Sequence, residues 1–370
     1  MDLTVTEGAT DEIGALTAIA PMTWRSSAAT VTSLAQTGPG PAAAAAPDFA
    51  RAMSDAARSA AHGRAFAALP FDRSRACAIT IPTADDDPVG AGDVPPFLDG
   101  GRSSAGAYRD GVRLALDRFT TEDLQKVVLA RYRDLISPDP CEPLAIAARL
   151  VSGNPLAHVF AIPVGPGKHL VGASPELLIA KSGNTIRSHP LAGSAHRHAD
   201  SSTDARTADA LIESEKDRRE HAYVVEAICD LLAPYCSRLA APDPSLLATD
   251  SMWHLGTEIT AELRDPDTPV AQLAALLHPT PAVCGTPRAA AYRMIDDVEH
   301  FDRGFFAGAA GWMDEAGDGE WVVSIRCGEV GTNRIRAYAG AGIVAGSDPD
   351  AELAETEGKL STFLAAVALR

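Results

Sequence analysis

The sequence predicts an α+β fold, and three observations carry that prediction. Short segments that alternate apolar and polar residues recur along the chain, joined by tight turns containing Gly, Asp or Pro. Other segments place apolar residues at spacings of three and four, the mark of helices with one buried face. With 370 residues, 46% of them hydrophobic, the chain can bury a large core in one domain or in two smaller ones.

Charge and cysteine usage narrow the partners. A net charge of -17 argues against nucleic acid or an anionic membrane as a partner. It also works against an anionic substrate, so such a ligand needs local cations or a metal ion. The six cysteines, Cys77, Cys141, Cys229, Cys236, Cys284 and Cys327, form no CxxC pair. MDLTVTEGAT at the start has neither a basic n-region nor an apolar h-region. No apolar run reaches the ~20 residues that cross a bilayer. These features predict a cytoplasmic chain with reduced thiols, and a monomer is the default expectation.

Residues 1–102 are the least patterned part. A strand is expected near TAIAPMTWRSS (17–27), a surface loop at GPGPAAAAAPD (38–48), and a helix from Pro47 to about His62. FAALPF (66–71) and CAITIP (77–82) predict a hairpin, and TADDDPVGAGDVPPFLDGG (83–101) an acidic loop.

From Ser103 the pattern sharpens. Tyr108, Val112, Leu116 and Phe119 mark the buried stripe of a helix. KVVLARYRDL (126–135) then alternates, with Lys126, Val128 and Ala130 on one face. A lysine opening a strand on a small apolar face either snorkels to water or is kept there for its amine. After a short helix at PLAIAARLV (143–151), the segments HVFAIPV, KHLVGAS, ELLIAKS and NTIRSHPLAG (158–193) predict a four-stranded antiparallel meander. Glu176 follows a Ser-Pro between two apolar strands, where an unpaired carboxylate is costly and its pKa should rise. Gly193 lets backbone approach a ligand closely.

Residues 206–236 are expected to form the longest helix, charged in its first half and apolar in its second. Glu213, Asp217, Glu220 and Val224 descend one face of it, and Glu220 sits where the helix enters the core. MWHLGTEITAEL (252–263) alternates as one more strand. His254 stands at its start, where a lone histidine is more often packed than catalytic. Two helices flank a Pro-rich turn holding Thr280 and Ala282, the second begun by Pro287. Three closing strands follow at FFAGAAGWMD, EWVVSIRCGEV and RIRAYAGAG. Arg326, mid-strand among apolar residues, requires an anionic partner.

The last stretch is the most heavily marked. The strand from Arg334 should break into a Gly-rich turn with Gly340, Gly342 and Gly346 and restart as a helix on which Glu352, Glu355 and Lys359 share a face. Carboxylates, an ammonium and backbone N–H donors at one junction suit a divalent cation held with an anionic small molecule. A solvated ion-pair stripe is the competing reading. Glu220 and Glu355, on two helices, would suit Mg2+ with water and ligand completing its shell. His196 and His198 read as a polar loop, and no HExxH, CxxC, EF-hand, Walker, Rossmann or GxSxG signature occurs.

KVVLAR (126–131), LVGASPELL (170–178), HPLAGS (189–194), SEKDRREH (214–221), MWHL (252–255), HPTPAVCGTP (278–287), GWMD with GEWVVSIRC, and AGAGIVAGSDPDAELAETEGKL follow one another in this order. Together they resemble the chorismate-utilising enzymes, which include isochorismate, salicylate, anthranilate and aminodeoxychorismate synthases. The resemblance covers about residues 103–370 and is strongest to the isochorismate synthase branch that feeds siderophore or menaquinone pathways.

That resemblance implies a fold and a site. The fold is one large α+β domain of two packed antiparallel sheets ringed by helices, with residues 1–102 as its N-terminal part and 103–370 as the chorismate-binding catalytic region. The implied catalytic pair is Lys126, a base that activates water for attack at C2, and Glu176, the general acid as the C4 hydroxyl leaves. Lys126 then needs a populated neutral form, which burial and nearby positive charge favour, and Glu176 needs its proton. Glu220 and Glu355 are implied as direct Mg2+ ligands, with Asp217 and Glu352 reached through water. Arg326 and Lys359 match residues near the substrate carboxylates, Gly193, Gly340 and Gly342 match backbone donors, and His254 matches a residue near the ring and its enolpyruvyl ether. Ser194 replaces the Thr common in PLAGT and keeps a hydroxyl.

Salicylate synthase, which goes on to expel pyruvate, would need the same Lys126, Glu176 and metal. Ala282, where the lyase-competent branch tends to Thr, tilts the reading toward isochorismate as product. Amination of chorismate leaves Lys126 unexplained, and a non-catalytic chorismate-binding paralogue leaves the whole set of costly buried groups unexplained.

Overall fold

The computed structural model describes residues 22–23, 29–30, 42–82, 93–120, 123–249 and 251–367. Their strands form sheets of eight, nine and three strands, with α-helices packed around them. The expected antiparallel pairing holds throughout except at one edge, where Met22–Thr23 runs parallel to Phe160 and Ala161.

Period-two alternation decides which core each strand feeds. In the eight-stranded sheet Phe160, Ile162 and Leu170 join Phe66, Ile179 and Trp321 of the nine-stranded sheet in one core. The intervening Val159, Ala161, Val171 and Ala173 face a second core closed by Ile146 and Leu150 of the Pro143–Gly153 helix and Leu360 and Phe363 of the Pro349–Leu364 helix. A sheet covered on both faces accounts for strands that read as nearly continuous apolar runs.

The chain changes sheet at the places that later matter. Lys168–Ser174 belongs to the eight-stranded sheet and Leu177–Ser182 to the nine-stranded one, so Pro175 and Glu176 form the crossing. Thr185–His189 leads from the nine-stranded sheet into Leu191–His196 of the three-stranded sheet. Met252–Gly256 and Ile259–Leu263 make the reverse passage. Gly319–Val323 leaves the nine-stranded sheet and Cys327–Val330 enters the eight-stranded one, with Arg326 between them at φ +51°.

Three expectations are corrected by these crossings. The four-stranded meander is two hairpins in different sheets, and the segments 252–263 and 320–330 are each two strands. Arg326 is therefore not mid-strand. A chain that leaves one sheet and enters another stays extended and buried, so alternation cannot register the change of partner.

Other differences are local. The long helix of 206–236 is two, Ser201–Glu213 and Glu215–Leu232, divided at Ser214, whose hydroxyl accepts from the Asp217 N–H and caps the second. The first long helix is Ala42–Ser59, beginning inside the alanine run expected to be loop, as the high helix propensity of alanine allows. Leu98–Ser103 is a strand where loop was expected, and residues 83–92 of that segment lie outside the described residues, as does most of 17–27. Arg334–Val344 runs unbroken through Gly340 and Gly342, which pair with Ala130 and Val128 of Lys126–Ile136. The turn comes only at Gly346, at φ +91°. Among the described residues no helix is long and apolar enough to cross a membrane, and all six cysteines are free thiols.

Candidate active site

A partly open cavity, about 680 Å³ including space continuous with solvent, is lined by Glu176, Gly193, Glu220, His254, Arg326, Gly340, Gly342, Glu355 and Lys359. Lys126, Asp217 and Glu352 lie outside that lining, behind Glu220, Gly193 and Glu355. The structure thus brings the twelve residues to which the resemblance gave roles to one place, nine at the surface of the cavity and three just behind it.

Lys126 is fully buried, with its Nζ 3.1 Å from Glu220 Oε1 and no group in hydrogen-bonding geometry around it. The face it shares with Val128 and Ala130 was read as small and apolar; the facing carboxylate comes from the Glu215–Leu232 helix. Gly342 makes the room, since a Cβ there would collide with Glu220 Oε1 and come within 3.1 Å of Lys126 Cε. Gly193, at φ +78°, is closed off by Asp217, whose Cβ would lie 3.0 Å from an added Cβ.

The remaining carboxylates are each balanced by a neighbour. Glu355 accepts from Lys359 Nζ at 2.6 Å and Ser194 Oγ at 2.8 Å, and Lys359 also donates to the Gly340 carbonyl at 3.1 Å. Burial alone would raise the Glu355 pKa, but Lys359, Ser194 and Lys216 outweigh it and hold the group below the usual carboxylate range. Glu352 pairs with Lys216 at 3.0 Å, and Asp217 accepts from the Ser214 hydroxyl. Burial and the Glu355 charge push Glu352 up; burial and the charges of Glu220 and Glu355 push Asp217 up. The four carboxylates therefore feel one another.

On the other side of the cavity Glu176 is buried and pushed up to about 7 by desolvation, against the Leu191 amide, Lys126, Arg326 and Lys359, which favour its charged form. Its own N–H donates to Ser174 Oγ at 3.2 Å and its carbonyl accepts from the Val323 N–H at 3.1 Å, which fixes the crossing. His254 is held neutral, well below its ordinary pKa, by burial and by the charges of Arg326 and Lys359, and its Nε2 lies 3.3 Å from Arg326 Nη2. Burial brings Arg326 down only to about 10, so it is charged at neutral pH. Among the described residues no carboxylate lies within ion-pair distance of it.

Two features of the site went unread in the sequence. Lys216 was one charge among many on an exposed helix turn, with nothing to mark its reach to Glu352. Phe306 and Tyr338, stacked at 5.0 Å and 9°, join Val283, Ile325 and Val128 in an apolar wall. No periodicity links residues so far apart.

Among the described residues no three His, Cys, Asp or Glu side chains converge closely enough to enclose a metal ion. The donor set still fits a hard cation. A buried carboxylate, Glu220, and a half-buried one, Glu355, border one cavity from two helices, with two more coupled to them electrostatically, and Mg2+ commonly takes one or two carboxylates and fills its shell with water and ligand.

The model of a family described as chorismate binding enzymes matches residues 98–368. The isochorismate synthase DhbC of Bacillus subtilis is 46% identical over 267 residues, covering 70% of this chain and 67% of that protein. The crystal structure of DhbC from Bacillus anthracis is similar with a TM-score of 0.80 at 38% identity, over 89% of this chain and 90% of the other. The structure of MenF, the menaquinone-specific isochorismate synthase of Escherichia coli, is similar with a TM-score of 0.74 at 26% identity, over 87% and 82%.

Proposed function

This chain belongs to the chorismate-binding enzyme family, and we propose that it isomerises chorismate to isochorismate. The observation that carries this reading is Arg326: a charged guanidinium buried at the cavity with neutral His254 beside it and, among the described residues, no carboxylate within ion-pair distance. A buried cation without a counter-ion is costly, and a bidentate carboxylate would relieve that cost. Chorismate brings two carboxylates.

The reaction adds water at C2 and releases the C4 hydroxyl while the ring double bonds shift. Glu176, pushed up to about 7, is protonated in a large fraction of molecules at neutral pH and can pass that proton to the departing hydroxyl, which leaves as water. Lys126, once its ion pair with Glu220 is given up and its amine is neutral, takes the proton of the attacking water, so one water enters and one departs. Arg326 and Lys359 hold the substrate carboxylates, and His254 and the backbone at Gly193, Gly340 and Gly342 border the ring. Mg2+ bound by Glu220 and Glu355, with Asp217 and Glu352 behind, would anchor the ring carboxylate and polarise the diene. The enzyme works as a cytoplasmic monomer on this small molecule, without nucleic acid or membrane, and supplies siderophore or menaquinone synthesis.

Purified protein incubated with chorismate and Mg2+ should form isochorismate, resolved by chromatography, with little salicylate fluorescence or free pyruvate. Substantial pyruvate would move the assignment to salicylate synthase. Lys126→Ala is expected to lower turnover by at least ~10²-fold, and wild-type turnover in that variant would refute its role.

A further inference from the structure

Arg334–Val344 covers one edge of the strand that carries Lys126, and among the described residues the opposite edge is bordered by strands only at its two ends. Gly285–Thr286 pairs with Val127 and Lys126, and Leu98–Ser103 pairs from Arg133 to Ile136. Along that edge the Val128 N–H donates to the Cys284 carbonyl at 2.8 Å and the Tyr132 N–H to Ser104 Oγ at 3.1 Å. Between them the Ala130 N–H donates to Glu299 Oε1 at 2.6 Å, and the Val128 carbonyl accepts from Arg303 Nη2 at 2.6 Å. The gap is filled by a carboxylate and a guanidinium where backbone would be expected.

We propose that Glu299 and Arg303 are positioning residues for the isomerisation, a side-chain substitute for a missing strand that fixes Lys126 and the 280–284 turn relative to the cavity. The inference rests on reading the cavity as the site of that reaction. Arg303 commits four of its five N–H donors to this edge. It binds Glu299 through Nε at 2.7 Å and Nη2 at 2.5 Å, takes the Val283 carbonyl through Nη1 at 2.9 Å, and lies 4.2 Å over the Phe71 ring. Both side chains are 3% exposed.

Stability alone does not explain such a pair. A buried ion pair costs desolvation, and apolar replacements are often as stable. Apolar side chains cannot, however, accept from the Ala130 N–H or donate to two carbonyls. Those carbonyls belong to Val128 and Val283, which both border the cavity, and Val128 is two residues from Lys126 on the same face. Were this edge free to shift, Lys126 would move against Glu176, and a displacement of about 1 Å can cost ~10²-fold in rate. Substrate affinity, carried by Arg326 and Lys359 on other elements, would change less.

The test compares Arg303→Lys and Glu299→Gln with the wild-type full-length enzyme, measuring kcat, KM for chorismate and Tm. Glu299→Gln keeps an acceptor for the Ala130 N–H and should fold even if Arg303→Lys does not. Arg75→Ala, which breaks the exposed 2.6 Å ion pair with Asp302 beside Arg303, is the control and should leave kcat within about twofold. Expected is a kcat loss of roughly 10- to 100-fold in Arg303→Lys and a smaller loss in Glu299→Gln, each with KM within about threefold, well below the Tm of each variant. Folded variants with kcat within about twofold of wild type, or a loss confined to KM, would overturn the positioning role while leaving the proposed reaction intact. Wild-type protein with no turnover of chorismate would overturn both.

Discussion

The cavity has two walls built on different principles. One is a ladder, Lys126–Ile136 paired with Arg334–Val344 along its whole length, and it supplies Lys126, Gly340 and Gly342. The other is made of crossings between sheets, which supply Glu176 and Arg326, with Gly193 at a bulge of Leu191–His196 and His254 nearby. On the ladder a side chain is placed by register, because every second residue must face the cavity. At a crossing no register exists, and placement depends on local bonds such as Ser174 to Glu176 and on unusual backbone: Arg326 at φ +51° and neighbouring Ala307 at φ +58°. The proton donor and the anion-binding cation thus sit where the backbone is irregular, and the base sits where it is regular.

The largest test of that division is Glu176→Gln. Removing this crossing group, which holds a transferable proton near neutrality, should lower kcat by ~10³-fold or more with little change in Tm. The pH dependence sharpens it. Because the Glu176 carboxyl is pushed up to about 7, it is protonated below that pH and loses its proton above it, so kcat should fall about tenfold per pH unit on the alkaline side. The residual activity of Glu176→Gln should lack that limb. If the limb persists in the variant, the acid is elsewhere and the crossing wall only binds.

The same division explains what could be read from the sequence. Ladder residues were legible: alternation put Lys126, Val128 and Ala130 on one face, and the structure agrees. Glu176 was legible for a different reason, since a carboxylate after Ser-Pro between apolar strands is costly wherever the strands go. The elements at 252–263 and 320–330 were correct as extended chain but not as single strands, because burial continues through a crossing and pattern carries no information on pairing partner. Arg326 was recognised as a buried cation and misplaced within its element. Lys126 facing Glu220, and Glu299 with Arg303 completing an edge, are contacts between distant segments that no local signal encodes.

A smaller effect tests the ladder wall. Gly342 has ordinary φ, and an added Cβ would meet Glu220 Oε1 and Lys126 Cε. Gly342→Ala should lower kcat by roughly tenfold or more by displacing that pair. It should also weaken divalent-cation binding measured by Mn2+ titration. Unchanged kinetics would show that the pair tolerates displacement and that register matters less on this wall than the crossings do on the other.

The smallest effect separates space from conformation four residues further on. Gly346 has no heavy atom within 4 Å of an added Cβ, but its φ of +91° lies where a side chain strains the backbone. It sits in the turn closed by the Ser347 N–H to the Val344 carbonyl at 3.0 Å, between the ladder and the helix bearing Glu355. Gly346→Ala should therefore cost about 1–2 kcal/mol of stability with kcat unchanged well below the Tm. In a chain of this length that is a shift of only a few degrees, readable by thermal denaturation. If kcat fell as far as in Gly342→Ala, the turn and not the ladder would be setting the position of Glu355, and the regular wall would owe part of its geometry to irregular backbone after all.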